Sequence, residues 1–151
     1  MLSTKLNKVP LKALRSGRNR PYPSLKKEKN IWKAKPDADD YLAAERYLRL
    51  LFTDTKVKLI VTRLRGSPIT QHQAKDLLRA SQVHLIDNDN PQVAAQLKKI
   101  NKGKKISPVL LVRGDALNGI TLTIADGHHR ICASWHWNED LPVACCLVSP
   151  D

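Results

Sequence analysis

The sequence predicts an α+β domain in which a small mixed β-sheet packs with helices, preceded by a basic flexible arm. Apolar residues recur at three- and four-residue spacing between residues 41 and 64, which is the period of amphipathic helices. The run 106–112 is nearly continuously apolar, as in a buried strand, and the run 121–125 alternates between polar and apolar residues, as in a half-buried strand. The chain has 151 residues, 42% of them hydrophobic, so it can bury the core of one domain.

Charge divides the chain after Lys35. Residues 1–35 hold 11 basic residues and one acid, whereas residues 36–151 hold 15 basic and 13 acidic residues. The first segment also contains three prolines and few large apolar side chains, so it cannot bury enough surface to offset its chain entropy. We therefore expect a basic, largely flexible arm over residues 1–35 and an α/β domain over residues 36–151.

The basic arm has three possible roles. A cationic segment attracts nucleic acid because each neutralised phosphate releases counterions, and Tyr22 and Trp32 could stack on bases. The segment could equally be a solvated tail that keeps the protein soluble. An Arg-rich, acid-poor composition is also compatible with an organellar transit peptide. Nucleic acid is therefore one candidate partner of residues 1–35.

Composition argues against several classes of protein. Apolar runs such as 109–112 are far shorter than the ~18–20 residues of a membrane helix, and the first twenty residues lack the apolar region of a secretory signal. The three cysteines form neither a disulfide framework nor a CxxC zinc pair. We expect a cytoplasmic protein with no membrane partner and no protein-bound zinc.

Two helices are predicted at the start of the domain. Acidic residues in the first turn complement the helix dipole, so one helix is expected to begin near Pro36 and to end near Phe52. Asp54 or Thr55 can cap a second helix, which ends at Gly66. A short strand over 69–73, a short helix over 74–80, a turn over 87–90 and a helix from 91 to about 101 follow.

The remainder of the chain reads as strand, strand, helix, strand. The run 106–112 predicts a buried strand, and a turn over 115–119 leads to a second strand over 121–125. A helix is expected to start within 126–130 and to continue to about Trp137. The last strand, 141–148, carries a proline at its start, where the missing N–H costs little.

The pentapeptide Asp126-Gly127-His128-His129-Arg130 is the densest polar cluster of the domain. It lies where a strand passes into a helix, and a helix N-terminus attracts anions through its unpaired N–H groups. Gly127 allows the backbone to approach a ligand, and Arg130 matches phosphate oxygens. The histidines can donate hydrogen bonds or move protons near neutral pH. Asp126 could cap the helix, hold a histidine or bind a metal ion.

Each of these residues also has a structural interpretation. Asp126 is well placed to be an N-cap, and Gly127 could serve only a tight turn. Adjacent histidines on a helix point in different directions, so one of the two is expected to be structural. Arg130 could pair with Asp126 or Glu139, and His136 is interpreted as a surface or packing residue. From the residues alone, an anion site and a purely structural turn both remain open.

Taken in order, three segments resemble the ParB/sulfiredoxin superfamily. They are Lys98 to Val112, Thr123 to Ser134 and Leu141 to Val143, which match a helix–glycine–strand box, a strand–Asp-Gly-x-x-Arg–helix box and a terminal Pro-Val strand. Together they cover a third to a half of the chain. The resemblance implies a ParB/sulfiredoxin-like fold, and the predicted order of strands and helices agrees with it.

The resemblance also implies a ligand. Members bind nucleotide phosphates at the Gly-x-x-Arg turn, so the implied cofactor is a nucleotide of the ATP, CTP or ADP class, with Mg²⁺ as a companion ion. The residues that would bind the nucleotide are Gly127, His128, His129, Arg130, Lys105 and Ser107. The residues that would act in catalysis, by holding Mg²⁺ or exchanging a proton, are Asp126, His128 and His129.

Two departures narrow the choice of function. The catalytic cysteine of sulfiredoxins is replaced by His128, with Cys132 one turn deeper in the helix, and the Glu-Arg pair of partition proteins is replaced by His128 and His129. We therefore expect a nucleotide- or phosphate-binding domain, with phosphoryl transfer or nucleotide hydrolysis as its chemistry. The alternatives are a non-catalytic DNA-associated module that uses the basic arm, and a nuclease or a toxin similar to ADP-ribosyltransferases.

Overall fold

The computed structural model describes residues 30–151, which form five α-helices and one four-stranded mixed sheet. The helices are α1 (Ala38–Leu48), α2 (Asp54–Gly66), α3 (Ala74–Ser81), α4 (Pro91–Asn101) and α5 (His128–Trp137). The strands are β1 (Thr70–Gln73), β2 (Val109–Val112), β3 (Thr123–Asp126) and β4 (Pro142–Val148). A 3₁₀ turn, Ala116–Asn118, connects β2 to β3. The α+β class and the predicted element order are confirmed.

Local capping chemistry explains where the helices begin and end. The Thr53 side chain accepts a hydrogen bond from the backbone of α2, and the Asn90 side chain accepts two from α4, which begins with Pro91. In α1 the periodic apolar pattern continues past Leu48, but the helix ends there. The N–H of Leu50 bonds to the carbonyl of Tyr47, three residues earlier, so the chain tightens into a turn.

The sheet has the strand order β1-β4-β2-β3. β2 and β4 are parallel, while β1–β4 and β2–β3 are antiparallel pairs. In the β2–β3 pair Leu110 lies opposite Asp126. The residues just before β2, which are Ser107 and Pro108, therefore lie beside the end of β3 and the start of α5.

Side chains of the central strands alternate between two cores on the opposite faces of the sheet. Val109 and Leu111 of β2 pack in the core that contains residues of α3, α4 and α5. Leu110 and Val112 pack on the other face, where α1 and α2 cover the sheet. All four β2 residues are buried, as the continuous apolar run predicts for a strand covered on both faces.

The structure differs from the sequence prediction at residues 30–35, which the sequence analysis places in the arm. Trp32 is only 4% exposed and lies in the core with α3, α4 and α5. Its backbone pairs with Ile106 in a parallel bridge, and its Nε1 donates to the carbonyl oxygen of Pro142 at 3.0 Å. The indole is therefore not available for stacking on bases. The rest of the predicted flexible arm, residues 1–29, lies outside the described residues.

None of the helices in residues 30–151 is long and apolar enough to cross a membrane. The cytoplasmic location inferred from the sequence stays a prediction.

Candidate functional site

The candidate site lies at the junction of β3 and α5, where the backbone can take only glycine. Gly127 has a φ of +114°, in the left-handed region that disfavours other residues. A Cβ at this position would lie 2.4 Å from Cγ1 and 2.7 Å from Cβ of Val109. Positive φ, as the sequence predicts, and close packing against β2 therefore both require glycine here, whereas the approach of this backbone to a ligand stays a prediction.

The N-terminus of α5 has no side-chain cap. The first helical bond of α5 runs from the N–H of Ile131 to the carbonyl of Gly127 at 3.0 Å, which leaves the amides of residues 128–130 without an intrahelical partner. The interpretation of Asp126 as the N-cap is wrong, because Gly127 occupies the cap position and the Asp126 carboxylate binds Arg130 instead. The start of α5 thus presents free N–H donors.

Arg130 is the centre of a partly buried polar cluster. Its side chain is 13% exposed, and its Nη2 donates to Asp126 Oδ2 at 3.0 Å and to the carbonyl of Pro108 at 3.3 Å. Its Nη1 lies 3.7 Å from Oδ1 of Asp40. Its Nε is buried and has no hydrogen-bond partner within residues 30–151. The predicted ion pair with Asp126 is present, and one donor of the guanidinium remains unused.

Asp40, on α1, is a member of this cluster that the sequence analysis missed. Its Oδ2 accepts hydrogen bonds from the hydroxyl of Ser107 and, at 3.1 Å, from the backbone N–H of Asp37. Ser107 is 5% exposed, and its Oγ also accepts from the N–H of Asp37 at 3.0 Å. Ser107 therefore joins α1 to the start of β2 instead of facing a ligand. In the sequence, the acidic residues at the start of α1 indicate the beginning of a helix and do not indicate that one of them belongs to a site.

A cavity of about 200 Å³ opens at the start of α5. Residues 126–130 line one wall, and the other wall comes from α4. The lining residues from α4 are Gln92, Ala95 and Gln96. The Oε1 atom of Gln96 is buried and has no partner among the described residues. Gln96 and Arg130, each of which carries a buried polar atom without a partner among the described residues, therefore both line one cavity.

The two adjacent histidines have different surroundings. His128 Nε2 lies 3.0 Å from the carbonyl oxygen of His84, so this nitrogen carries the proton and donates to the segment that precedes α4. The pKa of His129 is lowered, mainly by burial and then by the charges of His128 and Arg130. A lowered pKa favours the neutral imidazole, which can accept a proton at the cavity wall.

One face of α5 fixes the segment over residues 82–87. Three side chains spaced four residues apart make these contacts. His128 binds the carbonyl of His84, and Cys132 Sγ accepts from the N–H of Ile86 at 3.4 Å. His136 Nε2 donates to the carbonyl of the same Ile86 at 2.8 Å. His136 is therefore a packing residue, as the sequence analysis expected. His128 combines this anchoring contact with a position at the cavity.

The electrostatics of the cluster are set by two acids around one guanidinium. The pKa of Asp126 is raised because burial outweighs the opposing charge and hydrogen bond of Arg130, and the neighbouring Asp40 raises it further. A protonated Asp126 leaves Arg130 less fully neutralised.

Lys105 and the predicted Mg²⁺ remain to be placed relative to the cavity. Lys105 is exposed and is not among the residues that line it. Within residues 30–151 no group of three or more His, Cys, Asp or Glu side chains is arranged to hold a metal ion. The structure thus brings together residues 126–130 of the predicted site, links Ser107 to them through Asp40, and leaves Lys105 at the surface.

Comparison of the chain with models of protein families, with curated proteins and with solved structures found no match.

Proposed function

We propose that this domain binds the phosphate group of a nucleotide, or of a related phosphate ester, in the cavity at the N-terminus of α5. The observation that carries the proposal is that residues carrying two kinds of unpaired donor line one cavity. The uncapped amides of residues 128–130 face no intrahelical acceptor, and Arg130 on the cavity wall retains an unpaired Nε. Helix N-termini and guanidinium groups are the common protein ligands of phosphate.

The remainder of the ligand extends beyond this cavity. A volume of about 200 Å³ is small compared with the ~300–1,000 Å³ of a pocket that encloses a whole small molecule. It suits a phosphate group and part of a sugar. The free Oε1 of Gln96 would accept a hydrogen bond from a ligand hydroxyl or amine, which inorganic phosphate alone provides less well.

Binding requires the ion pair between Arg130 and Asp126 to rearrange. Two carboxylates already surround the guanidinium, so a phosphate must displace Asp126 or bind while Asp126 is protonated. A Mg²⁺ ion bound jointly by Asp126 and phosphate oxygens would also relieve the repulsion, because Mg²⁺ is often held by one or two carboxylates together with the substrate. The ligand class therefore includes the metal-bound nucleotide.

Phosphoryl transfer or nucleotide hydrolysis is the reaction proposed for a bound nucleotide. His129 would exchange the proton, since its pKa is lowered and it lines the cavity. Arg130 and the amides of α5 would stabilise charge on the transferred group. The resemblance of residues 98–112, 123–134 and 141–143 to the ParB/sulfiredoxin superfamily supports the same ligand class, and membership of that superfamily is part of the proposal.

A panel of ligands tests the proposal on the full chain. Unfolding is monitored with ATP, CTP, ADP, NAD and inorganic phosphate, each with and without Mg²⁺. A ligand at 100 times its Kd stabilises the folded state by about 2.7 kcal/mol, so binding is readily visible in the unfolding midpoint. We expect at least one nucleotide to bind more tightly than inorganic phosphate. The absence of stabilisation across the whole panel would contradict the proposal.

A matched pair of arginine variants locates the binding. Arg130→Lys keeps the charge beside both carboxylates but removes the planar fork, so we expect it to weaken nucleotide binding at least tenfold. Arg79→Lys is the control, because the side chain of Arg79 is 83% exposed and, among residues 30–151, its one ion pair is with Asp76 on its own helix. Equal affinities for both variants would place the nucleotide elsewhere.

A further inference from the structure

The walls of the cavity at the start of α5 carry little net charge. Among the described residues that line it, Arg130 and Asp126 are the only side chains of the Lys, Arg, Asp or Glu types. The wall from α4 consists of two glutamines and an alanine, which are uncharged. Histidine side chains are mostly neutral above about pH 7, and burial lowers the pKa of His129 further. The guanidinium of Arg130 is therefore the main positive charge that these described residues offer.

Two carboxylates already share that positive charge. Asp126 Oδ2 lies 3.0 Å from Arg130 Nη2, and Asp40 Oδ1 lies 3.7 Å from Arg130 Nη1. The exposed fractions of the three side chains are between 13% and 20%, so solvent screens the charges weakly. When both acids are ionised, the cluster has one negative charge in excess.

Of the two acids, Asp40 is the one that the fold holds beside the guanidinium. Its Oδ2 accepts hydrogen bonds from the hydroxyl of Ser107, which is 5% exposed, and from the backbone N–H of Asp37 at 3.1 Å. Asp126 has no such anchor among its described hydrogen bonds, and its pKa is raised by burial. An anionic ligand therefore competes with Asp126 for Arg130, while the carboxylate of Asp40 stays in place.

The positive potential that remains matches a single negative charge. A helix N-terminus is equivalent to roughly half a positive charge, and the uncapped start of α5 supplies it here. With Asp126 protonated or displaced, Arg130 and Asp40 offset each other and this half charge is left. A phosphate diester carries one negative charge, whereas a monoester carries about −1.5 to −2 at pH 7 and a free triphosphate carries more. Each additional charge would lack a partner in a weakly screened site, which is costly.

We propose that, without a divalent cation, the ligand of this cavity is a singly charged phosphate diester of a nucleoside, and that Asp40 selects it over monoesters and triphosphates. The inference rests on the proposed phosphate site and narrows its ligand class. The two non-bridging oxygens of the diester would accept hydrogen bonds from the amides of residues 128–130. The uncharged wall from α4 suits the neutral ester groups.

The test uses two ligands that differ by one charge at the phosphate. AMP and the methyl ester of its phosphate share the base and the ribose, and the added methyl group removes one negative charge. Calorimetric titration of the full chain at about pH 7.5 without Mg²⁺ compares these two ligands with ATP. We expect the methyl ester to bind at least tenfold more tightly than AMP, and ATP to bind most weakly.

A matched pair of variants isolates the role of Asp40. Asp40→Asn and Asp39→Asn each remove one negative charge from the first turn of α1. Asp39 is exposed and is not one of the two acids at Arg130. We expect Asp40→Asn to reduce the preference for the methyl ester over AMP at least threefold and Asp39→Asn to preserve it. This ratio of affinities does not change when a structural loss weakens both ligands alike.

The outcomes separate this inference from the proposed function. Tighter binding of AMP or ATP than of the methyl ester would overturn the diester inference and leave the phosphate site standing, as would an unchanged preference in Asp40→Asn. If none of the three ligands binds, the inference and the proposed function both fail.

A further diester identifies the source of the ligand. In adenylyl-adenosine one diester phosphate joins two nucleosides. Tighter binding of this dinucleotide than of the methyl ester would assign the cavity to a phosphate within a nucleic-acid strand, and weaker binding would assign it to a small nucleotide diester.

Discussion

Arg130 Nη2 lies 3.0 Å from Asp126 Oδ2, one helical turn away and across the N-cap glycine. The bond ties the last residue of β3 to the first turn of α5 and removes Asp126 from the capping role. It also neutralises part of the guanidinium that we propose as a phosphate ligand. In the proposed site, the charge of Asp126 would therefore set how much positive charge Arg130 offers to a phosphate.

The affinity of the cavity for inorganic phosphate is expected to depend on the charge of Asp126. Asp126→Asn removes the competing carboxylate while keeping the shape of the side chain, so phosphate should bind at least several-fold more tightly at pH 7. Calorimetric titration measures the change. Asp76→Asn, which removes the exposed partner of Arg79, is the control and should leave the affinity unchanged. Weaker binding by Asp126→Asn would indicate that the cavity prefers a cation.

The free energy of unfolding should depend on pH because the pKa of Asp126 is raised in the folded state. The ordinary pKa is 3.8 and the folded value is higher, so the folded state binds the proton more tightly than the unfolded chain. The resulting contribution to the free energy of unfolding is complete below pH 3.8 and is lost as the pH rises through the folded pKa. Urea denaturation at several pH values should show this component in the wild type and not in Asp126→Asn. A component of opposite sign would mean that Arg130 dominates the pKa.

Replacing Gly127 should destabilise the fold far more than replacing a glycine in open space. Gly127→Ala combines a positive φ with a Cβ placed 2.4 Å from Cγ1 of Val109, and we expect a loss of about 3 kcal/mol. Gly119 has a φ of +73°, but no atom lies within 4 Å of the position that a Cβ would take, so Gly119→Ala should cost only about 1 kcal/mol. Denaturant unfolding of both variants measures the difference. Equal losses would attribute the whole effect to backbone conformation.

Most elements of this fold could be predicted because their signals are local. Asn90 and Pro91 mark the start of α4 through capping chemistry, and the run 109–112 marks a strand buried on both faces. The predicted end of α1 lies too far along the chain because the apolar pattern continues into the turn after Leu48. Trp32 is predicted to lie in the arm because its neighbourhood is basic and contains prolines, and this composition does not reveal that the indole lies in the core with α5 and bonds to Pro142 of β4.

The candidate site was only partly predictable for the same reason. Residues 126–130 are contiguous in the chain, so the sequence alone reveals their polar cluster. Asp40 and Gln96 reach the site from helices that are distant in the chain, through packing of α1 beside β3 and of α4 against α5. Nothing in the local sequence of either residue distinguishes it from an ordinary surface side chain. The burial of Ser107 beneath Asp40 likewise depends on tertiary contacts.

Opening of the segment over residues 82–87 should expose the thiol of Cys132. Two hydrogen bonds hold the segment: His136 Nε2 donates to the carbonyl of Ile86, and His128 Nε2 donates to the carbonyl of His84. Removing one such bond by His136→Ala costs about 1 kcal/mol locally, so labelling of Cys132 by a thiol reagent should accelerate about fivefold. Mass spectrometry identifies the labelled site. Cys145 lies within β4 and serves as the internal control, and equal acceleration there would indicate global unfolding instead.

Trp32 should contribute to stability as a member of the core and not as part of an arm. Its side chain is 4% exposed and its Nε1 donates to the carbonyl of Pro142, so Trp32→Ala removes a large buried ring and leaves a carbonyl without its partner. We expect a loss of about 3–5 kcal/mol in denaturant unfolding. Leu117→Ala, at a side chain that is 98% exposed, should change the stability by less than about 0.5 kcal/mol. If Trp32→Ala were equally harmless, the bridge between residues 31–33 and Ile106 would not form part of the stable fold.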